Sequence, residues 1–146
     1  MTAGVFGPNN YFFWNIESNV GPGCANNVED VHLVQLAYAS MAQNPVINAA
    51  ERMVYKNVIP GAPYTGLPSD PLSIAIKTHQ KSRGGTQDGH VSPIGKSGSY
   101  GPATFMLIPL NNNIRFKISN LNWPRIDQHP LCTPVLRAAV TRALHI

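Results

Sequence analysis

Few charges, two cysteines and no long apolar run set the first limits on this sequence. Asp, Glu, Lys and Arg make up 12% of its 146 residues, about half the usual share. The formal net charge is +4 and the pI is near 9.3, a balance that suits an anionic partner. The basic residues are scattered, with no Lys/Arg run of the kind that tracks a phosphate backbone, so no nucleic-acid partner is expected. No apolar run approaches the ~20 residues that span a bilayer, so no membrane insertion is expected. Residues 1–10 lack a basic region followed by an apolar segment and a small-residue cleavage site. No signal peptide is predicted, and synthesis is expected in the cytoplasm. Any passage out of the cell would be leaderless or by release with a particle. Cys24 and Cys132 lie far apart; a disulfide cannot be deduced from them, and free thiols are the favoured reading.

Catalytic constellations are also missing. The five histidines are His32, His79, His90, His129 and His145, and none forms the local pair that a zinc hydrolase commonly uses. His129 and Cys132 have a ligand-like spacing, but Pro130 intervenes and no second pair follows. Neither metal nor cofactor is expected. Gly95-Lys96-Ser97 would need a glycine at position 90 to complete a phosphate loop, and His90 is there. Cys24 precedes a predicted helix whose positive end would lower its pKa, yet no base lies nearby in sequence. The acids Glu17, Glu29, Glu51, Asp30, Asp70, Asp88 and Asp127 mostly have capping or turn explanations, not the facing pair of a glycosidase. The reading is non-enzymatic.

Hydrophobic residues make up 43% of the chain, enough for the core of one domain spanning 1–146. Tyr11-Phe12-Phe13-Trp14-Asn15-Ile16 reads as a strand buried on both faces. A helix is predicted from Asn27, as N-cap, to about Ala42, with Val31, Val34, Tyr38 and Met41 inward. Asn44 and Pro45 suggest a second helix over 46–56, burying Ile47, Ala50, Met53 and Val54. Asp70 and Pro71 open a third, with Leu72, Ala75, Ile76 and His79 inward and Gly84 at its end. Residues 104–108 and 114–118 read as two strands joined by an Asn111-Asn112-Asn113 turn, which with the aromatic strand would make a small antiparallel sheet. Thr133 and Pro134 start a C-terminal helix with Val135, Leu136, Ala139, Val140, Ala143 and Leu144 on one stripe.

Two of these helices share a signature. In the first, Val31, Val34, Gln35 and Tyr38 follow one another at helical spacing. In the second, Ala75, Ile76 and Gln80 are followed by Gly84, Asp88, Gly89 and Val91. This arrangement resembles the small helical peptidoglycan-binding domain, over about residues 27–93. His79 stands where that family has Phe, Leu72 where a Thr is common and Gly85 where a Leu is common, and the link between the halves, near 44–70, is longer.

The resemblance implies a three-helix peptidoglycan-binding-like core; with the hairpin and the C-terminal helix read over 104–146, which lie outside the match, the expected fold is α+β. The resemblance also implies non-catalytic binding of peptidoglycan or another bacterial cell-wall polymer. The contact face would comprise the loops 64–70 and 84–100, with Tyr64, Gln80, Asp88, His90 and Tyr100 as candidate ligand-binding residues. Gln35 and Gln80 also have a structural reading, in which their amides hold neighbouring loops, and Asp88-Gly89 suits a tight turn. The alternative from another class is a structural or adaptor subunit of a secretion, phage-tail or similar assembly that reuses the fold and self-associates or docks on a protein partner. A small cell-wall hydrolase is the third reading and lacks a catalytic set.

Overall fold

The computed structural model describes residues 1–6, 11–95, 105–119 and 121–146. Two strands come first: β1, Thr2–Phe6, and β2, Tyr11–Asn15, antiparallel with Thr2 opposite Asn15 and Phe6 opposite Tyr11. Five helices follow among the described residues: α1 Val28–Met41, α2 Ala49–Tyr55, α3 Pro71–Arg83, α4 Leu107–Arg115 and α5 Pro134–Leu144. A 3-10 turn lies at Ile126–Gln128. The result is an α-rich arrangement compatible with the α+β class. No helix among the described residues is long and apolar enough to cross a membrane.

α1 is the central element. It touches α2, α4 and α5, so residues all round it are buried, including Val31, Leu33, Val34, Leu36, Ala37 and Tyr38. A helix enclosed on every side has no polar face to display. Asn27 precedes it but its side chain makes no capping bond, contrary to the sequence reading. The acidic first turn is used differently. Asp30 is fully buried; its Oδ1 lies 2.9 Å from the α-amino nitrogen of Met1, and its Oδ2 accepts from the N–H groups of Glu17 and Ser18. Glu29 pairs with both the Met1 amine and Arg142 of α5.

α3 and α5 follow their local signals. Asp70 Oδ1 accepts from Leu72 N at 2.9 Å and Gly84 takes φ 73° at the other end. Leu72, Ala75, Ile76 and His79 are all buried. Thr133 Oγ1 accepts from Leu136 N, with Pro134 in the first turn. The buried stripe of α5 is narrower than the pattern suggested, since Leu136, Ala139 and Val140 are buried but Ala143 is exposed.

Three elements differ from expectation. α2 begins at Ala49, not Val46, because Asn48 and not Asn44 is the cap. Asn48 Oδ1 accepts from Glu51 N at 2.8 Å and its Nδ2 donates to Glu51 Oε1. Asn44 is committed to Val46 N and Asn113. Its anchor is Tyr55, fully buried, whereas Ala50 and Met53 are exposed.

The expected 104–118 hairpin is helix α4; Thr104 lies outside the described residues. Leu107, Leu110, Asn111 and Ile114 are buried at steps of three and four, and that helical period prevails over the β-prone residue types. Pro109 is tolerated because it sits in the first turn, where backbone N–H groups have no intrahelical acceptor.

Among the described residues the sheet therefore has two strands, not three or more. The partner of β2 is β1. Phe13 and Trp14, which point to opposite faces of β2, are both buried. Asn111 ties α4 to this strand: Trp14 N donates to its Oδ1 at 2.7 Å, and its Nδ2 donates to Trp14 O at 2.9 Å and Leu107 O at 2.7 Å.

Candidate functional site

The shared glutamines have the same job in both helices. Gln35, on α1, accepts from Gly61 N at 2.9 Å through Oε1 and donates to Ala62 O at 2.9 Å through Nε2. Gln80, on α3, accepts from Gly89 N at 2.9 Å and donates to His90 O at 3.0 Å. Each clamps a glycine in the left-handed region, φ 85° for Gly61 and 77° for Gly89. Both amides are buried, at 3% and 5% exposure. Position 35 or 80 needs a side chain that donates and accepts on adjacent atoms of one planar group, which a carboxamide provides without charge.

Truncating either amide leaves a backbone N–H and C=O without their partner. Gln80→Ala and Gln35→Ala are each expected to lower stability by about 1–3 kcal/mol, read from urea melts. A change below about 0.5 kcal/mol, the range of an ordinary surface substitution, would show that the clamp is not needed to hold the turn.

Asp88 completes the second turn. Its Oδ1 accepts from His90 N at 2.9 Å and from Gln80 Nε2 at 2.8 Å. Burial opposes its charge, but these two hydrogen bonds hold the carboxyl below its ordinary pKa. Its Oδ2 has no hydrogen bond among the described residues, and the residue is exposed. The turn is pressed against the loop after Val20 by a two-bond bridge, Val20 N to Val91 O at 2.9 Å and Val91 N to Val20 O at 2.8 Å. The approach requires glycine at position 21, where a Cβ would lie 2.3 Å from Gly89 O.

The turn from Asp88 to His90 separates two clefts. One, of about 260 Å³, lies beside the end of α3 and is lined by Gln80, Arg83, Thr86, Asp88, His90, Ser92 and the apolar Phe105 and Met106. The other, of about 240 Å³, is lined by Pro22, Pro68, Ser73, Lys77, Asp88, Gly89 and His90. Tyr64 adjoins the second through its hydroxyl, 2.6 Å from Ser73 Oγ; burial raises the pKa of that phenol.

Gln80, Asp88 and His90 thus meet as the sequence suggested. Tyr64 reaches the second cleft only through Ser73, and Tyr100 lies outside the described residues. Lys77 and Arg83 were not anticipated, although both are three residues from Gln80 and share its side of the helix. Pro22 had no local signal, because the Val20–Val91 bridge brings it there.

His129, His79 and His32 make contacts within the fold. His129 Nδ1 accepts from Leu131 N at 3.0 Å, so its proton is on Nε2, which donates to Ser40 Oγ at 2.9 Å; that hydroxyl donates to Leu36 O. His79 Nδ1 lies 3.1 Å from the buried Tyr38 hydroxyl. His32 Nδ1 is 2.8 Å from Thr133 Oγ1. Both cysteines are free, and burial pushes Cys132 up to about 11 and raises Cys24 as well, opposite to an activated thiol. No group of three or more metal-ligating side chains occurs among the described residues.

Comparison with family models, with curated protein sequences and with solved structures finds no match for this chain. The class that fold and site define is therefore an α-rich module with a clefted turn held by an amide clamp.

Proposed function

We propose that the protein is a non-catalytic module that binds bacterial cell wall, with peptidoglycan as its ligand. The observation that carries this reading is the pairing of the two signature glutamines with two equivalent glycine turns, one of which divides a pair of clefts. These clefts offer what a glycan-peptide polymer needs. The hydroxyls of Thr86 and Ser92 line one cleft, Lys77 and Asp88 supply opposite charges, and Phe105, Met106 and two prolines supply apolar walls.

The purified protein is expected to pellet with insoluble peptidoglycan without clearing its turbidity. Lys77→Ala removes an exposed ammonium that takes no part in the clamp, and should weaken pelleting severalfold with unchanged melts. Release of soluble fragments would replace the binding reading with a hydrolase.

The adaptor reading draws on one observation: Val46 and Met53, near and on α2, are apolar and 90% and 58% exposed, side chains that a protein partner would cover. Absence from the pellet together with sedimentation as an oligomer would favour it.

A further inference from the structure

The second cleft holds two opposite charges that do not meet. Lys77 and Asp88 both line it, yet they form no ion pair with each other, and among the described residues the Lys77 ammonium makes no hydrogen bond. The Lys77 stem crosses the turn, since a Cβ at Gly89 would stand 3.3 Å from Lys77 Cε. Its charge is thereby delivered beside the turn that carries Asp88. The Asp88 carboxylate commits Oδ1 to His90 N and Gln80 Nε2 and keeps Oδ2 as an acceptor.

Ser73 brings a third group. It lies four residues before Lys77 on α3, so the two are neighbours on one side of the helix, and it lines the cleft at 3% exposure. Its Oγ and the Tyr64 hydroxyl are 2.6 Å apart. Two hydroxyls hold two protons and their mutual bond uses one. With Tyr64 donating to Ser73, the Ser73 proton is left for a ligand.

A ligand with one charge would satisfy one of Lys77 and Asp88 and be repelled by the other. A ligand with both charges on one carbon answers each: its carboxylate takes Lys77 and Ser73, its ammonium takes Asp88 Oδ2, and its hydrocarbon lies against Pro22 and Pro68. At about 240 Å³ the cleft is below the about 300–1,000 Å³ that engulf a drug-sized molecule, and so takes one end group of a polymer.

We propose that the second cleft binds a zwitterionic α-amino-acid head group, presented by the unlinked end of a diamino dicarboxylic acid in the wall stem peptide. Stem peptides with lysine at that place end in an ammonium alone. The choice of a wall residue rests on the cell-wall reading, whereas the demand for both charges rests on the cleft.

The test pairs pelleting on two walls, one built with meso-diaminopimelate and one with lysine, with calorimetric titration of soluble meso-diaminopimelate. Pelleting is expected to be severalfold stronger on the diaminopimelate wall. The soluble amino acid should bind saturably. Pimelate, the same chain without amines, and cadaverine, the same chain without carboxylates, should bind about tenfold more weakly or worse. Lys77→Met keeps the stem across Gly89, and Asp88→Asn keeps an oxygen for His90 N; each should lower diaminopimelate affinity about tenfold. Equal pelleting on both walls without saturable diaminopimelate binding would overturn the proposal and leave the cell-wall reading standing. Absence from both pellets with diaminopimelate still bound would remove the cell-wall reading and keep the head-group site, for a free amino acid. Failure of both measurements would overturn both. Affinity matched by pimelate or cadaverine, or retained in both variants, would also sink the head-group assignment.

Discussion

Acidification from pH 7 to pH 4 is expected to remove about 6 kcal/mol of stability through two buried histidines, enough to unfold a domain of ordinary stability. Burial depresses His79 to about 4, with the Arg83 charge adding to the effect, and depresses His129 to about 4, with Lys117 adding. In the unfolded chain both titrate near 6.5. Above 6.5 neither state binds the proton, so stability does not depend on these groups. Between 6.5 and 4 the unfolded chain takes up protons that the folded chain refuses, and each histidine costs about 3 kcal/mol by pH 4. The geometry supplies the reason for His129, because protonation at Nδ1 destroys the acceptor that Leu131 N uses. The carboxylates with lowered values, Glu29, Asp88 and Asp127, contribute above their unfolded pKa values and lose that contribution mainly below pH 4. Urea melts at several pH values measure the slope. His79→Phe should remove about half of it, and a flat profile from 6.5 to 4 would show that the imidazoles are accessible to protons in the folded state.

The second large effect is expected at Asn111. Asn111→Ala removes a 1% exposed amide and leaves Trp14 N–H and C=O without partners inside the core. Adding a cavity to two unsatisfied groups gives a loss of about 3–5 kcal/mol. Asn111→Asp discriminates further. It keeps the acceptor for Trp14 N but turns an oxygen toward the carbonyls of Trp14 and Leu107, so it should approach the alanine variant in damage. If both variants melt within about 0.5 kcal/mol of the parent, the strand is held by packing alone.

The elements legible in sequence were those whose signals are local. Asp70-Pro71 and Thr133-Pro134 place a side-chain acceptor and a preset φ at adjacent positions, and both helices start there. Gln80, Asp88 and Gly89 lie within one helix end and one turn, so that part of the candidate site was also readable. α4 was not, because Ile108, Ile114 and an Asn triplet resemble a hairpin locally. The deciding interaction, between Asn111 and Trp14, joins opposite ends of the chain. β1 was missed for the same reason, since its partner is set by register with β2 and by nothing within Thr2–Phe6. The far wall of the second cleft likewise depends on Val20 meeting Val91.

The tie between α4 and β2 has a consequence for how this protein meets copies of itself. Along β2, residues 12 and 14 direct their backbone groups away from β1, to the side where another strand would add. Three of those four groups are already occupied: Trp123 donates to Phe12 O, and Asn111 takes both Trp14 N and Trp14 O. Side chains thus fill most of the hydrogen-bonding positions that an incoming strand would need, and an unprotected edge of this kind is where chains template one another into aggregates. Strand addition at β2 would have to displace the Asn111 and Trp123 side chains. The β2 edge of this module is thus guarded against association with copies of itself.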